Sequence, residues 1–72
     1  MPISKKRAKA NKILEKELDK TIIRKDSIEN KIVNLMTKAL EDGNEFVVLE
    51  YAKQKRLGGS NRECLLRTAA NL

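Results

Sequence analysis

Lys5, Lys9, Lys12, Lys16 and Lys20 recur at intervals of four, three, four and four, a spacing that sets all five on one stripe of an α-helix. A row of ammonium groups does one kind of chemistry well. It neutralises phosphates along a backbone, and each phosphate neutralised steepens the salt dependence of binding. Lys6 and Arg7 thicken the start of the row, and Arg24 stands at its edge. Glu15, Glu17 and Asp19 fall to the sides of the stripe, where they read as solvated, charge-balancing positions rather than catalytic carboxylates.

A second basic group gathers around Gly58-Gly59: Lys53, Lys55 and Arg56 before it, Asn61, Arg62 and Arg67 after it. Two helices joined at that turn would form a hairpin of helix-turn-helix type over 44–72, its last helix presenting an Asn amide to adenine and Arg side chains to bases or phosphates. Ala52 stands six residues before Gly58 instead of the four usual in that motif. The pattern therefore favours contacts to the backbone over base reading.

Other chemistries find little to work with. There is no His for general base work, no glycine-rich phosphate loop, and Gly58-Gly59 lacks a following Lys-Ser/Thr. With no His and one Cys the chain has no zinc site of the usual ligands, so no metal, no cofactor and no small-molecule substrate is expected. Cys64 has no His to activate it and reads as a small buried hydrophobe. The expectation is a protein that is not an enzyme.

Charge narrows the partners. The net charge is +6, and it is unevenly spread: residues 1–10 carry four cations and no acid, 41–50 carry four acids and no cation, and from 51 onward the balance is positive again. Two basic ends around an acidic belt suit a polyanion. No apolar run approaches the roughly 20 residues a membrane span needs, and the basic start leads into an amphipathic pattern rather than a signal peptide. A lone Cys fits a reducing compartment, so a soluble cytoplasmic protein that does not enter membranes is expected.

The elements that must position these residues are helical. Leu14, Leu18 and Ile22 recur every four residues, and Ile28, Ile32, Leu35, Met36, Ala39 and Leu40 follow three-and-four spacing. If unbroken, they share one face of a helix over about 5–41, a rod of roughly 55 Å at 1.5 Å per residue. Asp26-Ser27-Ile28-Glu29 resembles a capping box with Asp26 as N-cap, and would split the rod in two. The spacing favours the long or kinked helix, its stripe of Leu14, Leu18, Ile22, Ile28, Ile32, Leu35 and Met36 covered by a second copy in an imperfect coiled coil.

Asp42-Gly43-Asn44 ends that region, with Asn44 placed to cap the next helix. Glu45 to Leu57 reads as helix with a short strand over 45–51 as the alternative, Phe46 facing the core. Ser60-Asn61-Arg62-Glu63 is a capping box that starts a last helix over 61–71. Only residues 1–4 look disordered. The fold class is all-α: a small helical bundle of one domain over 1–72, completed by dimerisation.

These features converge on one functional expectation. The chain reads as a small basic nucleic-acid-binding accessory or regulatory protein of phage or plasmid type, in transcription regulation for example, holding duplex through phosphates. The alternative is a protein-binding helical adaptor, inhibitor or antitoxin-like module that receives a partner helix on the apolar stripe of 14–40.

Overall fold

Three serines set three of the helix starts. In the computed structural model, which describes residues 4–21 and 27–71, the hydroxyls of Ser4, Ser27 and Ser60 accept from the amides of Arg7, Asn30 and Glu63 at 3.1, 3.1 and 3.2 Å. Each satisfies one of the amides a helix start leaves unpaired. The helices they open are α1 (Lys5–Lys20), α2 (Ile28–Glu41) and α4 (Asn61–Ala70), with α3 (Glu45–Arg56) between the last two. There is no strand among the described residues, so 45–51 is helix.

Two glycines end α2 and α3 in the same way. Gly43 (φ 79°) and Gly58 (φ 91°) hold the left-handed conformation that other residues adopt at a cost. Gly43 donates to Leu40 and Asn44 to Ala39; Gly58 donates to Lys55 and Gly59 to Gln54. This is the paired capping of helix-end carbonyls known as the Schellman motif. Asn44 occupies the N-cap position of α3 but makes no side-chain capping bond there.

The single rod over 5–41 is not what forms. α1 closes at Thr21, whose backbone is extended, and α2 opens from Ser27, also extended, so Ser27 and not Asp26 is the cap. The longest dimension of the chain is 36 Å, well short of a roughly 55 Å rod. The driving force is burial of part of the apolar stripe, Ile32 and Met36 above all, by folding back: α1 packs on α2 and α3, and α4 on α2 and α3. Leu57 and Asn71 are the C-caps of α3 and α4, so those helices stop one residue earlier than expected. Ser4 caps α1 and is part of the folded chain, whereas residues 1–3, together with Ile22, Arg24 and Asp26, lie outside the described residues.

The core joins all four helices: Ala10 from α1, Ile32, Met36 and Leu40 from α2, Val48 and Tyr51 from α3 and Cys64 from α4, with Ile13, Leu14 and Leu65 packed against it. Val33, Ala39 and Val47 are buried as well. Thr68 is buried with its hydroxyl donating to the Cys64 carbonyl at 2.7 Å. Two expectations fail here. Phe46 is 53% exposed while Tyr51 is the buried ring, and Ile32 and Met36, assigned to a second copy, lie in the core of their own chain.

Candidate nucleic-acid interface

The α1 face that reaches the core is turned away from the leucine row, of which Leu14 packs against the core and Leu18 does not. Ala10 is fully buried and Glu17, two turns on, is 9% exposed, while Leu18 is half exposed. At roughly 100° per residue, a buried face centred on Ala10 and Glu17 turns α1 so that its lysine row lies on the shoulder toward α3 instead of diametrically opposite the core. Ala10 makes this possible, because its methyl lets the helix approach closely.

The consequence is a basic groove. Between α1 and α3 runs a depression of about 260 Å³ lined by Ile13, Lys16, Glu17 and Lys20 from one side and Tyr51, Ala52, Lys55 and Arg56 from the other. An adjoining depression of about 270 Å³ shares Ile13, Ala52 and Arg56 and adds Lys9, Leu49 and Lys53. Together they form one track along the α1–α3 seam. Lys9, Lys16 and Lys20 thus meet Lys53 and Arg56, two segments over thirty positions apart in the chain.

Glu17 is the acid inside this track, and it is not solvated as its position in the sequence suggested. Its Oε1 lies 2.5 Å from Lys55 Nζ, and its Oε2 accepts from the Tyr51 hydroxyl at 3.3 Å. The Lys55 ammonium also stands 5.6 Å from the centre of the Tyr51 ring, within cation–π range. Burial, and then the neighbouring Glu17 carboxylate, push the Tyr51 hydroxyl up to about 12. Burial works against the Lys55 charge, but the hydrogen bond to Glu17 and the attraction of Tyr51 and Glu17 outweigh it, so Lys55 is raised.

The remaining expected contacts divide into free and engaged cations. Lys5, Lys6, Lys9, Lys12, Lys16, Lys20, Lys53, Arg56 and Arg62 are exposed, and none belongs to an ion pair among the described residues. Lys5, Lys6 and Lys12 lie outside the two depressions. Arg7 is turned inward: its guanidinium donates to the Leu40 carbonyl and to Glu45. Arg67 donates to Glu63 and Gln54, both at 2.7 Å. Glu63 therefore serves Arg67 from the first turn of α4, and Asn61, half-buried, stands at the start of that helix.

Chemistry at the other candidate positions is plain. Cys64 is buried, its thiol donating weakly to the Gly59 carbonyl at 3.6 Å, and burial followed by the Glu63 charge raises it away from the reactive thiolate. Among the described residues no three metal-ligating side chains gather. No helix among the described residues is long and apolar enough to cross a membrane.

Comparison with protein families, curated proteins and solved structures finds no match for this chain. The reading of the groove rests on its own residues. Of these, the sequence showed every cation as a candidate and missed the two residues that hold Lys55, Glu17 and Tyr51. The available signal was an acid at seven residues from a small apolar one, Ala10, on the same helix face.

Proposed function

We propose that the chain is a small basic accessory or regulatory protein that binds duplex nucleic acid through its phosphates, of the phage or plasmid type its size suggests. Lys9, Lys16 and Lys20 of α1 and Lys53 and Arg56 of α3 are the central contacts, with Lys5, Lys6 and Lys12 extending the row. Arg62 and Asn61 at the head of α4 make further contacts. The observation that carries this reading is the convergence of two separate basic segments on one groove whose lysines and arginine, Lys55 apart, belong to no ion pair among the described residues.

Binding to a short DNA duplex and to the matching RNA duplex, followed from about 50 to 200 mM salt, tests it. Five phosphate contacts should give a log–log slope of roughly −4 to −5, at about −0.9 each. A flat response, or no binding at low salt, overturns the reading.

A second reading draws on Leu18, Ile28, Phe46, Leu57 and Leu66, large apolar side chains that stay exposed. They support a protein-binding adaptor, or a homodimer in which Leu18, Ile28 and Leu35 meet a second copy. Loss of activity in Leu18→Asp with duplex binding retained would favour it.

A further inference from the structure

The groove holds one carboxylate among its cations, and its placement is specific. Glu17 is nearly buried, with a side chain 11% exposed, and its partner Lys55 remains a third exposed at the mouth of the groove. Both carboxylate oxygens are engaged, one by Lys55 and one by Tyr51. A carboxylate bound by an ammonium and a phenol hydroxyl is in the position a phosphate oxygen would take on the same donors. Lys16, Lys20 and Arg56 line the same depression, and no ion pair among the described residues includes them.

We infer that Glu17 is a built-in competitor for the anion-binding groove: its carboxylate occupies Lys55 in place of a phosphate and keeps that cation out of the binding set. This rests on the phosphate-binding reading above and sharpens it, because it says which cation of the groove does not count and why. With Glu17 in place, the Glu17–Lys55 pair contributes no net charge to an incoming backbone, and the fixed carboxylate repels any phosphate that approaches Lys55 closely. The groove is then tuned toward weaker, more reversible binding than its cations would otherwise give. The same bond fastens α1 to α3, so the competitor also holds the groove in shape while nothing is bound.

The experiment compares wild type, Glu17→Gln and Glu15→Gln. Glu15 is an exposed acid of α1 that does not line the groove, so its variant makes the same change in net charge elsewhere on the helix. Affinity for a short DNA duplex is measured from about 50 to 200 mM salt, with inorganic tripolyphosphate as a second probe and circular dichroism to verify folding. Glu17→Gln is expected to bind roughly fivefold tighter at the low-salt end and to steepen the duplex slope by about 0.9, one added phosphate contact. Glu15→Gln should gain less than half as much. Equal gains in the two variants, or no gain in folded Glu17→Gln, overturn the inference.

If wild type fails to bind duplex while tripolyphosphate binding still tightens in Glu17→Gln, the nucleic-acid reading falls and the competitor stands. If neither probe binds any variant, both fall. Should Glu17→Gln not fold, the paired replacement Glu17→Met with Lys55→Met removes donor and acceptor together and fills the space they leave. A duplex slope within about half a unit of wild type supports the inference, and a slope shallower by about 0.9 shows that Lys55 was a phosphate contact and overturns it.

Discussion

The guanidinium of Arg7, in the first turn of α1, donates to the carbonyl of Leu40 in the last turn of α2 and lies 3.4 Å from the carboxylate of Glu45 at the start of α3. One side chain therefore meets the negative end of one helix and an acid at the head of the next. A cation at a helix C-terminus is favourable by about 0.3–1 kcal/mol, and a hydrogen bond from a charged donor contributes about 1.5–3 kcal/mol when well buried. Arg7 and Glu45 are a third and a quarter exposed, which screens their mutual attraction. Arg7→Ala should therefore cost about 1–2 kcal/mol in urea unfolding, and Arg7→Lys about half of that, because both contacts are made by one terminal guanidinium nitrogen, Nη1, which the shorter lysine side chain does not reach. A loss below about 0.3 kcal/mol, within the range of ordinary surface substitutions, would show that the contact contributes nothing.

Alkaline pH should loosen the α1–α3 seam before the rest of the chain. The folded Tyr51 hydroxyl is held up at about 12, above its ordinary value of 10.0, and Lys55 is raised above 10.5. Both groups keep their protons more firmly when folded, so the stability they supply is complete below their unfolded values and is lost as pH rises through their folded ones. Melting temperature should be level from about pH 7 to 9 and fall between about pH 10 and 12. Phenolate absorbance, reporting the lone tyrosine, should show a late midpoint that moves down in Glu17→Gln. A midpoint at the ordinary tyrosine value in the folded protein would contradict the buried contact.

Particular residues explain what the sequence did and did not reveal. The starts at Ser4, Ser27 and Ser60 are local events, set by a hydroxyl and an amide three residues on, and the two glycine turns are equally local; Ser60 and both glycines were legible directly. The lysine row was legible because spacing alone decides which side chains share a stripe. Whether α1 and α2 were one rod was not, since an apolar face looks the same whether it is covered by a second chain or by folding back on α3 and α4. Glu17 and Tyr51 were missed for a related reason. A carboxylate counts as solvated until a partner thirty-eight positions away, Lys55, is known to reach it, and Phe46 near Tyr51 gave no local hint of which ring turns inward.

Gly59 and Cys64 limit how closely α4 can approach the end of α3. A β-carbon at Gly59 would sit 3.1 Å from the Cys64 sulfur and 3.4 Å from the Gln54 carbonyl, while the thiol already points at the Gly59 carbonyl. Gly59→Ala should cost about 1–2 kcal/mol from overpacking. In a Cys64→Ala background, where the sulfur is gone, the same change should cost less than half as much, an interaction a double-mutant cycle reads directly. Additive costs would mean that the helix shifts freely and that the turn does not set the spacing.

The apolar stripe separates two roles that the sequence merged. Ile32 is 1% exposed in the core of its own chain, whereas Leu18 is 50% exposed on α1. Ile32→Asp should unfold the chain, because it buries an unpaired charge among Ala10, Met36, Val48 and Tyr51. Leu18→Asp should leave helicity intact. If Leu18 with Ile28 meets a second copy, sedimentation equilibrium will find wild type at twice its 8.2 kDa mass and Leu18→Asp at 8.2 kDa. A wild type already at 8.2 kDa at high concentration would remove the homodimer. It would leave the basic groove untouched, since Lys9, Lys16, Lys20, Lys53 and Arg56 come from one chain.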